Sequence, residues 1–209
     1  MVKTSVVRGK SYTESDAFIE CYYQAAGGKS LVVIFPGTNY SCDRPVLHFA
    51  RKIGIVKGHD VLCFSYGSDL PWEEKGLDIV EFEITKCMTI IKDALKATHK
   101  KIYFISKSVG SIIAGRISEE LGYENVKNIF LTPMNETIPF ILVSKCSVIL
   151  GSEDGKLSKE NLEIIRQYRD IELVLIEGAN HSLEMNTDIE GSLKILEQVA
   201  KELMNMIEE

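Results

Sequence analysis

The sequence holds no Cys-x-x-Cys pair, no His-x-x-x-His and no His-Glu-x-x-His. Its five cysteines, Cys21, Cys42, Cys63, Cys87 and Cys146, are odd in number and widely spaced. That excludes a zinc ribbon and a thioredoxin-like redox pair and leaves buried, reduced thiols. His48, His59, His99 and His181 have no metal-ligand spacing, so no metal is expected. Gly-x-Gly-x-x-Gly and the P-loop pattern are missing too, which places a nucleotide-binding α/β protein last among the readings. Basic residues are not in excess: 24 Lys and Arg stand against 30 Asp and Glu, a net charge of −6. Nucleic-acid binding needs the opposite sign, so no nucleic-acid partner is expected. No apolar run approaches the roughly 20 residues of a membrane span. The densest, Leu31–Phe35 and Ile102–Ile105, are strand-sized. MVKTSVVRGK at the start has no apolar signal-peptide core, so no membrane and a cytoplasmic location are expected.

What is present is ordinary for a globular chain: 209 residues, 45% apolar and 26% charged. That is enough for one sizeable core, and a single domain over residues 1–209 is expected. No repeat or Pro/Gly/Ser-rich linker divides it. Short β-branched runs alternate with longer stretches of helical spacing. Val2–Arg8 and Ala17–Tyr23 read as an antiparallel edge pair. Leu31–Phe35 reads as a strand covered on both faces, and Asp60–Ser65, Ile102–Ile105, Val126–Leu131, Ser147–Leu150 and Glu172–Ile176 read as further strands.

Helices are expected over Arg44–Val56, Glu73–Thr98, Val109–Leu121, Ser158–Tyr168 and Ile189–Ile207. Pro45 suits a first helical turn, Ser158 an N-cap and Gly122 a C-terminal stop. Leu196, Val199, Leu203, Met204 and Ile207 are expected to face inward from the last helix. Such alternation implies an α/β fold, with a mostly parallel sheet and helices on both faces. Chemistry then gathers where the strands end.

After Ile102–Ile105 comes Ser106-Lys107-Ser108-Val109-Gly110, and a helix begins at once. Small residues two before and two after a serine, at a strand-to-helix turn, suit a bend so tight that the chain nearly touches itself. It exposes the Ser108 hydroxyl and aims the Val109 N–H at whatever binds there. Ser65 in Cys63-Phe64-Ser65-Tyr66-Gly67 fits the same pattern, but Ser68-Asp69-Leu70-Pro71 follows and reads as a loop.

A serine nucleophile needs a base, and the base an orienting carboxylate. Asp154 follows the strand Ser147–Leu150, and His181 follows Glu172–Ile176 in a Gly/Asn loop. Glu153 and Glu136 compete for the acid role. His59 and His99 precede strands, at the other end of the sheet, and His48 lies on a helix. Pro36-Gly37-Thr38-Asn39 ends the first covered strand, where a Thr38 N–H, or less favourably that of Asn39, is the expected second oxyanion donor. Asn39, Tyr40, Tyr66, Trp72, Met134 and Phe140 lie near strand ends and are the candidate substrate pocket.

These residues resemble the α/β-hydrolase family, in particular its compact dienelactone-hydrolase-like and small-esterase members. The resemblance runs from about Leu31 to the C-terminus and rests on Pro36-Gly37-Thr38, Ser106-x-Ser108-x-Gly110, Gly151-x-x-Asp154 and Asn180-His181, in that order. It implies an oxyanion loop, nucleophile, acid and base at those positions, with no cofactor. The sequence departs in having Pro-Gly where many members have His-Gly. Lys107, before the nucleophile, carries no substrate assignment. The expected activity is hydrolysis of an ester or thioester of a small soluble molecule. An acyltransferase or peptidase with the same residues, or a silent ligand-binding or scaffold protein on the fold, are the alternatives. Thr132–Cys146 is too short for a cap with its own core, so an open site and short acyl groups or compact polar substrates are expected.

Overall fold

A computed structural model describes the backbone of residues 3–10, 18–65 and 77–208, and side chains within 23–65 and 84–208. The described residues form one eight-stranded sheet. Its strands are β1 (Lys3–Lys10), β2 (Phe18–Ala25), β3 (Ser30–Phe35), β4 (Asp60–Ser65), β5 (Lys101–Lys107), β6 (Val126–Leu131), β7 (Cys146–Gly151) and β8 (Glu172–Ile176). They lie in the order β1-β2-β4-β3-β5-β6-β7-β8. β1 and β2 are antiparallel as expected, and β2 continues the sheet by pairing antiparallel with β4. Every pair from β4 to β8 is parallel.

Helices α1 (Pro45–Val56), α2 (Leu77–Ala94), α3 (Val109–Leu121), α4 (Ile138–Val143), α5 (Lys159–Arg166) and α6 (Ile189–Met206) cover the sheet. The two-residue period of a strand decides which helix meets which side chain. Val32 and Ile34 point to the face covered by α1 and α6, with Leu47, Ala50, Val199 and Leu203. Leu31, Val33 and Phe35 point to the other, against Ile84 and Ile91 of α2 and Ile112 and Ile113 of α3. Phe130, Val148 and Leu150 extend that second layer beneath α4 and α5. Each fully buried aliphatic or aromatic side chain contributes roughly 1.5–3 kcal/mol.

Three features depart from the sequence pattern. The apolar spacing of α2 runs on towards Thr98, yet the helix ends at Ala94. Lys96 and His99 turn away to reach a buried carboxylate. Residues 73–76, expected in that helix, lie outside the described residues. Met204 is 49% exposed, because α6 turns Ile195, Val199, Leu203 and Met206 inward and Met204 sits about 100° round from Leu203. α3 is buried all round over its first two turns: Gly110, Ser111, Ala114 and Gly115, with Ser118 beyond them, are as hidden as its apolar stripe, and only Arg116, Glu119 and Glu120 are exposed. Small residues there let the helix lie close to the sheet and to Phe140. Between β6 and β7 the chain makes only a 3₁₀ turn, Asn135–Thr137, and the six-residue α4, with no separate cap among the described residues.

The buried carboxylate is Asp60, which opens β4 at the end of the sheet away from the strand-end loops. One oxygen accepts the N–H groups of Ala26, Gly27 and Gly28 at 2.8, 3.0 and 3.2 Å. The other meets Tyr23 Oη at 2.6 Å, Lys96 Nζ at 2.5 Å and His99 Nε2 at 3.0 Å. Burial pushes its acidity the other way, but Lys96, Tyr23, His99 and the Gly28 amide together hold the carboxyl well below the usual range. A depressed acid stabilises the fold above its unfolded pKa, near 3.9, and that stability drains away as pH falls below it. Asp60→Asn should therefore cost about 3 kcal/mol at pH 7, and the gap to wild type should shrink at pH 3. Urea unfolding at the two pH values checks this, and an equal gap at both would refute it.

Candidate active site

The strand ends named by the sequence converge. β5 and β3 finish level, with Phe35 opposite Ser106. At the turn into α3, Ser108 takes φ 54° and ψ −126°, a left-handed conformation that strains any residue other than glycine. A Cβ on Gly110 would stand 2.3 Å from Pro36 O and 2.6 Å from Phe35 O, so only glycine fits two residues after the serine. Ser108 N–H donates to Leu131 O of β6 at 3.1 Å, which ties the bend to the neighbouring strand.

His181 and Asp154 arrive on loops that are zipped together. Glu153 N–H donates to Ala179 O at 2.9 Å, and Gly178 N–H to Ser152 Oγ at 2.8 Å. Gly151 allows this contact, since a Cβ there would lie 2.1 Å from Ala179 O. Asn180 Oδ1 accepts the N–H groups of Ser182 and Glu184 and closes the histidine loop on itself. The result is a continuous relay. His181 Nε2 lies 2.9 Å from Ser108 Oγ, and Nδ1 lies 2.9 and 2.8 Å from the two oxygens of Asp154. A carboxylate only accepts, so Nδ1 carries the proton and Nε2 presents its lone pair to the serine hydroxyl. The Asp154 side chain is wholly buried, and the His181 side chain keeps 29% of its surface open. Asp154 also accepts the Lys156 N–H at 2.9 Å, which fixes the carboxylate plane.

Val109 is the first residue of α3, so its N–H has no acceptor inside the helix. Gly37 lies against the serine: a Cβ there would stand 3.0 Å from Ser108 Cβ. Thr38 therefore follows directly on the residue that touches Ser108, and its hydroxyl is buried with no hydrogen-bond partner among the described residues. Asn39 is exposed with φ 56°, in the turn closed by Gly37 and Tyr40.

The other named residues have partners of their own. Glu153 and Glu136 are exposed, and neither is bonded to His181. His59 is buried near the far end of the sheet, with Nε2 2.7 Å from Glu208 O, and His99 is held by Asp60. His48 pairs with Arg51 on α1. Met134 and Phe140 pack partly buried against the core, Phe140 onto Gly115 of α3. Tyr40 is buried, its hydroxyl accepts the Val46 N–H at 3.4 Å, and burial pushes its phenol up to about 12. Tyr66 and Trp72 lie outside the described residues. Ser65 ends β4, and the residues after it are likewise not described.

One residue received no role from the sequence. Lys107 is 1% exposed, and its Nζ meets Thr132 Oγ1 at 2.7 Å and His181 O at 2.5 Å. A lysine at the covered end of a strand, among apolar neighbours, was the available signal.

No family model matches the chain, and no curated protein matches it. Solved structures do. An esterase of Pyrococcus furiosus superposes with a TM-score of 0.71 at 13% identity, over 98% of this chain and 91% of its own. An alpha-beta serine hydrolase homologue from Coxiella burnetii gives 0.66 at 14%, over 96% and 97%. Est1E of Butyrivibrio proteoclasticus, solved with ferulic acid bound, gives 0.67 at 13%, over 90% and 95%. Likeness at such low identity, spread over nearly all of both chains, is a likeness of fold, and the fold of this chain is that of the α/β-hydrolases.

Proposed function

We propose that the chain is a serine hydrolase that cleaves an ester or thioester of a small soluble substrate. The observation that carries the reading is the Ser108–His181–Asp154 relay, built on a strained serine where β5 turns into α3. In this reading Ser108 Oγ attacks the acyl carbon while its proton passes to His181 Nε2. Asp154 holds the imidazole in the tautomer that accepts that proton and stabilises the imidazolium formed. The tetrahedral oxyanion is met by the N–H groups of Val109 and Thr38, both fixed before substrate arrives. Collapse expels the alcohol or thiol, which takes the proton from His181. Water then attacks the acyl-enzyme with His181 as base, and Ser108 is released. These steps call on no cofactor.

Fluorophosphonate labelling tests the nucleophile and separates an enzyme from a silent scaffold. Wild type should label and Ser108→Ala should not. Labelling that persists in Ser108→Ala and disappears in Ser65→Ala would overturn the assignment.

Asp154→Asn leaves the relay geometry but supports the wrong tautomer. Its kcat should fall on the order of 10³–10⁴-fold, while Glu153→Gln and Glu136→Gln stay close to wild type. A crippling Glu136→Gln would move the acid one strand earlier.

With only a short turn and α4 between β6 and β7, long acyl chains find little surface to bury, at roughly 25 cal/mol per Å². A p-nitrophenyl ester series should show kcat/KM highest for short acyl groups. A maximum at long chains, with a rate jump above the micelle threshold, would contradict this.

A further inference from the structure

Lys107 is the last residue of β5, one position before the nucleophile, and it is fully buried. An ammonium in such a place is strongly disfavoured unless its N–H groups are met. Here they are. Nζ donates to Thr132 Oγ1 and to the main-chain oxygen of His181, and it stands 4.6 Å from the centroid of the Tyr40 ring. Three donors face three partners, so none is left over for a substrate. The partners come from three different strand ends: Tyr40 after β3, Thr132 after β6 and His181 after β8. Leu131, Ile149 and Ile176 fill the neighbouring strand ends with apolar side chains, so the packing itself does not call for a charge.

We propose that Lys107 is a positioning residue for the hydrolysis, tying the main chain of His181 to the end of β5 and so fixing where the imidazole meets Ser108. This rests on the hydrolase reading above. The bond from His181 Nε2 to Ser108 Oγ uses the reacting proton, and it is lost once Oγ carries an acyl group. The bond from Lys107 to His181 O involves no reacting atom and survives both half-reactions. During deacylation the ring must stand ready for water. Asp154 then holds it from one side, and Lys107 holds its backbone from below.

The charged groups that face Nζ are the carboxylates of Asp154 and Glu184, with the Tyr40 phenol and the His181 imidazole beside them. Burial lowers the amine to about 7, and the two carboxylates oppose that fall only in part. The three-donor ammonium is thus present below about pH 7 and gives way to a neutral amine above it.

Lys107→Met keeps the length and volume of the side chain and removes its donors. It should be compared with wild type on p-nitrophenyl acetate from acid to alkaline pH, alongside fluorophosphonate labelling and thermal unfolding. We expect kcat to fall roughly 10–100-fold, because a small misplacement of a reacting group carries that penalty. KM should change much less, since His181 serves both half-reactions. The ratio of wild-type to variant kcat should shrink as pH rises through about 7. Tm should hold or rise, because a buried charge has gone. A variant with wild-type kcat and an unchanged pH profile overturns the proposal. Thr132→Val keeps the lysine and removes one of its anchors, so it decides the matter if Lys107→Met does not fold. A several-fold loss of kcat at unchanged KM supports the tether, and wild-type kcat refutes it. A wild type that neither labels nor hydrolyses ester instead sinks the hydrolase reading, and the tether with it.

Discussion

Main chain packed directly on main chain, at the C-terminal edge of the sheet, is the constraint from which the rest follows. Gly110 lies on the carbonyls of Phe35 and Pro36, and Gly151 lies on that of Ala179. Backbone cannot flex aside as a side chain does, so these contacts hold only in one register. The parallel pairing supplies it, setting Lys107 beside Leu131 and Gly151 beside Ile176. Once the strands end level, the bend at Ser108 has one way to turn, and the acid and base loops have one way to meet. The strain at Ser108 is carried by the sheet and by α3 together, not by the residue alone.

Much of this was legible in the sequence because it depends on local rules. Uninterrupted β-branched runs marked the covered strands. The glycine after Ser108 and the Asp-Gly and Asn-His loops marked the strand ends, and the order of serine, aspartate and histidine followed. Element boundaries slipped where a distant partner intervened. α2 stops at Ala94 because Asp60, over thirty residues away in sequence, claims Lys96 and His99. Met204 looked inward because an apolar residue beside Leu203 fits a helical stripe as well as Met206 does. The burial of Ser111, Gly115 and Ser118 was hidden because small residues carry no hydropathy signal. The partnership of Tyr40 with Lys107 was hidden, because nothing local to either residue shows that the loop after β3 folds over the end of β5.

The two ends of the sheet solve the same problem with opposite charge. At one end a lone carboxylate, Asp60, gathers hydroxyl, imidazole, ammonium and three amides and so binds β2, β4 and the approach to β5. At the other the buried amine of Lys107 gathers a hydroxyl, a carbonyl and an aromatic face. Both draw their partners from separate segments, so each fixes a junction that apolar packing would leave free to slide. Apolar contact rewards area and tolerates small shifts; a satisfied buried charge does not.

The burial of the first turns of α3 has a consequence for motion. Residues Val109–Gly115 are buried, and the helix meets solvent through Arg116, Glu119 and Glu120 towards its C-terminal end, so local opening has a route only from that end. Hydrogen exchange over the buried turns, Val109–Gly115, then calls for a larger opening than exchange at the exposed end, Arg116–Leu121. The hydroxyl that awaits substrate stands at the buried end of that helix, so flexibility at the site belongs to what approaches Ser108 and not to Ser108 itself.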